Sequence, residues 1–135
     1  MICELNEEML DSLYLLGSEL HIKFNTLYDY KSLNEDINET YCFIDNNNLK
    51  GFVHIQNICG EINIIDIIVD KNSRNNGIGT LLIDYLLKKY KGFKFVLEVN
   101  EDNINAIKFY KSHGFKEVGT RKNYYDDKDA IIMER

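Results

Sequence analysis

The chain contains no proline and no tryptophan, and only three cysteines among its 135 residues. Cys3, Cys42 and Cys59 are odd in number and show no CxxC spacing. That argues against a disulfide framework or a zinc site and for a reduced, cytoplasmic protein. Long apolar runs are also absent: none reaches the roughly 18 to 20 residues that span a bilayer, so no membrane partner is expected. The opening "MICELNEEML" lacks a basic start and a small-residue cleavage site, and no signal peptide is expected. A basic excess is missing too. The formal net charge of −6 excludes a general nucleic-acid binder and favours cationic partners such as amines or basic peptides, although acidity also simply aids solubility.

What remains is ordinary for one folded unit. Apolar residues make up 44% and charged residues 28%, and no linker, repeat or low-complexity tract divides residues 1–135 beyond Asn46-Asn47-Asn48. "ICEL" reads as a short strand. "NEEMLDSLYLLGSEL" places Met9, Leu10, Leu13, Leu16 and Leu20 close to helical spacing, and "LYDYKSLNEDI" predicts a second, shorter helix. "TYCFID" and "KGFVHIQNI" form a hairpin about the asparagine turn, and "EINIIDIIV" is apolar enough for a central strand. A leucine-rich helix through Tyr90 follows, then strand "KFVLEV", helix "DNINAIKFYKSH" closed by Gly114, and strands "FKEVGTRKNYY" and "DAIIMER". The order predicts one α/β domain of the α+β kind, with a mixed, mostly antiparallel sheet flanked by helices.

Arg74-Asn75-Asn76-Gly77-Ile78-Gly79-Thr80 separates a strand from a helix. No lysine follows Gly79, which excludes a Walker loop, and Leu82 stands where a dinucleotide fingerprint needs its third glycine. A third design fits: free backbone amides at a helix start, with the helix dipole, hold a pyrophosphate. Arg74 adds a permanent charge and Thr80 a hydroxyl. Such a Gly-x-Gly is by itself often only a turn. A second cluster strengthens the functional reading. Asn103 and Tyr110 lie seven residues apart and share one helix face with Ala106 and Ile107 between them. Glu98, on the strand before that helix, is either an edge carboxylate facing water or a general base with a raised pKa.

"VDKNSRNNGIGTLLI" resembles the acyl-CoA loop of the GNAT N-acetyltransferases, [QR]-x-x-G-x-[GA]. "LEVNEDNINAIKFYKSHGFKEVGTRKNYY" with "DAIIM" resembles their ribosomal-protein-alanine (RimI-type) branch, over roughly residues 50–134. The resemblance implies acetyl-CoA as cosubstrate, no metal, and two parallel strands, 61–69 and 94–100, that splay around the pantetheine arm. Backbone groups of Ile67, Ile68 and Val69 would bond that arm. Amides from Asn75 through Asn76, Gly77, Ile78 and Gly79 to Thr80 would hold the pyrophosphate, and Asn103 would anchor the arm from the other side. By the same resemblance a backbone N–H such as that of Ile68 steadies the oxyanion, Glu98 takes the amine proton, directly or through water, and Tyr110 protonates the thiolate. The acceptor is then an amine, foremost a protein N-terminus, with a ribosomal protein as one candidate, and the enzyme a monomer or homodimer. An α-amine, with a pKa of about 7.7 to 8, is about 3 kcal/mol cheaper to neutralise at pH 7 than a lysine.

Other residues invite a role. Asp66 reads either as a carboxylate for the substrate ammonium or as a paired residue at a sheet bulge. Tyr124 and Tyr125 read as walls of a peptide groove or as packing. His54 reads as a satisfied core residue, His113 as a helix-end residue, and Cys59 has no basic neighbour in sequence. Two departures fall where specificity is set: "HIKFNTLYDY" carries no Pro-Trp segment, and the turn from Tyr125 to Asp129 is short. A small-amine acetyltransferase, an idle acyl-CoA module and a toxin acting on aminoacyl-tRNA are the other readings.

Overall fold

A computed structural model describes residues 1–20 and 29–135. Its elements follow the expected order: β1 Ile2–Glu4, a 3-10 turn Glu7–Met9, α1 Leu10–Leu20, α2 Tyr30–Asn34, β2 Asn38–Asp45, β3 Asn48–Ile58, β4 Glu61–Val69, α3 Ile78–Lys89, β5 Lys94–Asn100, α4 Ile104–Ser112, β6 Lys116–Tyr125 and β7 Lys128–Glu134. The second helix is shorter than predicted. Asp29 and Ser32 form a reciprocal capping box that starts α2, and the chain turns extended at Glu35. Residues 21–28, which include most of "HIKFNTLYDY", lie outside the described residues.

The strands form one sheet in the order β1-β2-β3-β4-β5-β7-β6. Neighbours are antiparallel except β4 and β5, which run parallel. Apolar residues alternate along the strands, so each face packs its own core. On one face α3 contributes Ile78, Leu82, Ile83 and Leu86, packed on Val53, Ile55, Ile62, Ile64, Phe95, Leu97 and Val99 together with Ile107 and Tyr110 of α4. On the other, Leu13, Leu16 and Leu33 from α1 and α2 meet Cys42, Phe52 and Ile68. Leu82 and Leu86 are fully buried, so truncating either to alanine costs about 2–5 kcal/mol.

Two irregularities position the site. Parallel pairing begins at Glu61 opposite Lys94 and ends at Ile64 opposite Leu97, so the strands part beyond that point. At the same level β4 bulges: His54 faces Asp66 and Ile55 faces Ile64, which leaves Ile65 without a partner on β3. The extra residue reverses the alternation. Before the bulge Ile62 and Ile64 face α3, whereas after it Ile67 and Val69 do, and Ile68 joins the opposite core. Asp66, two residues before Ile68, therefore shares the α1–α2 face. Among the described residues no helix is long and apolar enough to cross a membrane.

Candidate active site

Where β4 ends, a 3-10 turn at Lys71–Ser73 leads into the glycine loop. Its two glycines serve different ends. Gly77 has φ +78° with open space where a Cβ would lie, so backbone conformation alone selects it. Gly79 packs: a Cβ there would stand 3.3 Å from the Phe109 ring of α4. The first intrahelical bond of α3 runs from Leu81 N to the Gly77 carbonyl at 2.9 Å, and no side chain caps the helix start. The amides of Ile78, Gly79 and Thr80 are therefore free to meet an anion.

These amides border a groove of about 840 Å³. Ile67, Ile68, Val69, Arg74, Asn75, Gly77, Ile78, Gly79 and Thr80 line one side, and Asn103, Ala106, Phe109 and Tyr110 the other. Asn76, expected among the phosphate-holding amides, is exposed and does not line it. Arg74 turns back on the strand, its Nε donating to the Val69 carbonyl at 3.2 Å. Thr80 Oγ1 lies 3.4 Å from Nε2 of His113, the residue that ends α4.

The backbone of β4 corrects one expectation. Asp70 N donates to the Lys50 carbonyl at 2.8 Å, and antiparallel alternation then turns the N–H and C=O of Ile68 toward β3 as well. The groups directed into the gap belong to Ile67 and Val69. Ile68 lines the groove, but its amide is spent on the sheet and is unsuited to an oxyanion.

On the opposite wall, Asn103 caps α4, its Oδ1 accepting from Ala106 N at 3.2 Å. Two turns on, Tyr110 is buried among Phe109 and Phe115 with both rings edge-on. Burial first, then the charge of Asp66 and the neighbouring Tyr125, raises its phenol above the ordinary tyrosine value. The hydroxyl has no hydrogen-bond partner among the described residues.

A second hollow of about 210 Å³ lies between Asn63–Ile65 and Val96–Glu98, closed by Tyr124 and Tyr125. Glu98 alternates with the core residues Leu97 and Val99 and so faces away from α4. Its carboxylate pairs with Arg121 at 2.9 Å. That guanidinium also sits 4.9 Å from the centre of the Tyr124 ring, which meets Tyr125 at 85°. Asp66 on β4 is pushed up to about 6 by burial. His54, directly opposite Asp66, is a neutral core residue: burial lowers it to about 4 and Nε2 lies 2.9 Å from Asn38 Oδ1. Exposed Cys59 occupies the β3–β4 turn.

Sequence reasoning missed Arg121 and Phe109. Phe109 had a signal, since it lies three residues after Ala106 on the groove-facing side of α4. Arg121 had none that a linear reading would weigh.

The sequence and the fold both resemble known proteins. The model of the Acetyltransferase (GNAT) family matches residues 4–115. The chain is 34% identical over 92 residues to the ribosomal protein bS18-alanine N-acetyltransferase of Salmonella typhimurium, covering 63% of this chain and 62% of that protein. It thus spans less than two thirds of that relative's length. The Haemophilus influenzae enzyme of the same name is 31% identical over 134 residues, covering 91% of this chain and 89% of the relative. Among solved structures, the Escherichia coli ribosomal-protein-S18-alanine N-acetyltransferase superposes with a TM-score of 0.87 at 26% identity, covering 99% of this chain and 91% of that one.

Proposed function

The chain belongs to the GNAT acetyltransferase family, and on that premise we propose that it moves the acetyl group of acetyl-CoA to the N-terminal α-amine of a protein. The parting of β4 from β5 beyond Ile64 and Leu97 carries the reading, because it lets a thioester held on one side meet an amine from the other. The pyrophosphate rests on the amides of Asn75 and of Gly77 to Thr80, with Arg74 beside them. The pantetheine arm extends β4 by bonding Ile67 and Val69, and Asn103 borders it from α4.

The chemistry is one substitution at the acetyl carbonyl. A neutral amine attacks, a backbone N–H of the parted strand steadies the oxyanion, and the C–S bond breaks. Glu98 receives an amine proton, directly or through water, and Tyr110, beside the groove, protonates the departing sulfur. A phenol raised by burial is a weak acid, so its transfer is tied to the moment the thiolate forms. The exposed pair Tyr124 and Tyr125 borders the approach of the amine, with Asp66 as a further carboxylate for its ammonium form, and the hollow beneath the pair suits a peptide end. The similar bacterial enzymes are named for acetylating the alanine of ribosomal protein bS18, which makes a ribosomal protein the first substrate to try.

The test is thiol release from acetyl-CoA with alanine-starting peptides beside a panel of polyamines, amino acids and aminoglycosides. Turnover on peptides that falls at least tenfold in Glu98→Gln is the expected result. Turnover on small amines alone would replace the protein substrate.

A further inference from the structure

An acceptor amine arrives as an ammonium ion, and the smaller hollow offers it a carboxylate and an aromatic face. A cation of the protein itself already holds both. Arg121 Nη2 lies 2.9 Å from Glu98 Oε1, and its guanidinium carbon sits 4.9 Å from the centre of the Tyr124 ring. Glu98, Tyr124 and Tyr125 line the hollow, whereas Arg121 reaches in from its rim.

That reach follows from the sheet. Arg121 belongs to β6, the outermost strand, and stands opposite Ala130 on β7, which in turn stands opposite Asn100 on β5. Ala130 has the smallest side chain on β7, so a long arginine can cross that strand to Glu98, two residues before Asn100. The contact is not a buried anchor. The Arg121 side chain remains 55% exposed, and Tyr124 is 49% exposed. Ion pairs and cation–ring contacts that lie half in water are weak, so a competing cation can open them.

We propose that Arg121 occupies the ammonium position of the acceptor as an internal competitor, and that an amine binds by displacing it. This rests on the acetyl-transfer reading above. Two like charges at one carboxylate and one ring repel each other at close range, so guanidinium and ammonium do not share the spot. Because Arg121 is tethered, it competes at a high effective concentration. The displacement costs every amine the same. It therefore matters most to small amines, which bring little beyond their charge, and least to a peptide end, which adds contacts along Tyr124 and Tyr125. Once the guanidinium has left, Glu98 is free to receive the amine proton.

The test is calorimetry on the coenzyme A complex of wild type, Arg121→Gln and Arg121→Lys. The probes are an alanine-starting peptide and the same peptide N-acetylated. The free-amine peptide should bind Arg121→Gln about three- to fivefold more tightly than wild type, and Arg121→Lys within about twofold of wild type. The N-acetylated peptide, which has no charge at that end, should bind all three alike. Unchanged or weaker binding of the free-amine peptide to Arg121→Gln would overturn the proposal, because Arg121 would then be indifferent to the acceptor or would hold it. A gain shared by the N-acetylated peptide would overturn it too, since removal of bulk alone would explain the effect. In Arg121→Ala, millimolar guanidinium chloride should compete with the free-amine peptide, and should not do so in wild type. Absence of that competition would also count against the proposal. Failure of wild type to turn over any amine would count against acetyl transfer, while these binding measurements would still decide whether Arg121 guards a cation site.

Discussion

The two sides of the splay are built in different ways. The coenzyme side is a local construction: one strand end, one loop and one helix start supply Ile67 to Thr80 in a single run of chain, and α4 closes it. The amine side is assembled from a distance. Asp66 comes from β4, Glu98 from β5, and Arg121, Tyr124 and Tyr125 from β6, held together only by the strand order. Contiguous backbone amides suffice to hold a phosphate, whose charge is the same in every turnover. An acceptor must be oriented and deprotonated, which needs side chains of opposite sign brought in from several strands.

This contrast can be broken most sharply at the junction. Tyr110→Phe should lower kcat by about 100-fold or more while leaving acetyl-CoA affinity within about twofold, because in the proposed reaction the hydroxyl acts on the leaving sulfur. Single-turnover kinetics beside calorimetric binding would check it. Loss of binding with unchanged turnover of bound coenzyme would assign Tyr110 to the groove wall instead.

On the amine side, Asp66 should trade stability for function. Its folded pKa, about 6, lies above the unfolded carboxylate value, so its contribution is fully present below about pH 4 and is lost as pH rises through 6. At pH 7 this amounts to about 2–3 kcal/mol of destabilisation, which Asp66→Asn should relieve. His54 has the opposite sign, its folded value near 4 costing stability as pH falls, but it is common to both proteins. The difference between their urea-unfolding curves across pH therefore isolates Asp66. A flat difference would show that the carboxyl is solvated.

Effects on the coenzyme side should be smaller. Gly77→Ala forces a side chain into the left-handed region and should cost about 1 kcal/mol, with a severalfold rise in the KM for acetyl-CoA and little change in kcat. An equal loss in kcat would mean that the loop also sets the reacting geometry. The smallest change is expected for Arg121→Gln. Freed from its ion pair, Glu98 should keep the rate within about fivefold while the KM for peptide alters, a pattern that steady-state kinetics can separate.

The same contrast explains what could be read from sequence. Element order, the sheet class and most of the residues that line the larger groove were legible because hydrophobic period, Gly77, Gly79 and the Asn103–Tyr110 spacing are local signals. Asp66 and Glu98 read alike in sequence because both interrupt apolar strands, and only burial and the position of Arg121 tell them apart. Arg121 lies opposite Ala130, which in turn lies opposite Asn100, so its reach to Glu98 depends on β7 inserting between β5 and β6. The Ile65 bulge was hidden for a similar reason. An unbroken apolar run, "INIIDIIV", does not show where its alternation reverses, and hence that the amides of Ile67 and Val69 face the gap.

The central claim is that thioester and amine meet through the parted strands. A conjugate joining the sulfur of coenzyme A through an acetyl bridge to the α-amine of an alanine-starting peptide would span both hollows at once. Calorimetry should show it binding at least about 100-fold more tightly than coenzyme A alone, with most of that gain lost when the peptide is replaced by a methyl amide. Binding no tighter than coenzyme A would contradict the account, since the amine would then have to arrive by some other route.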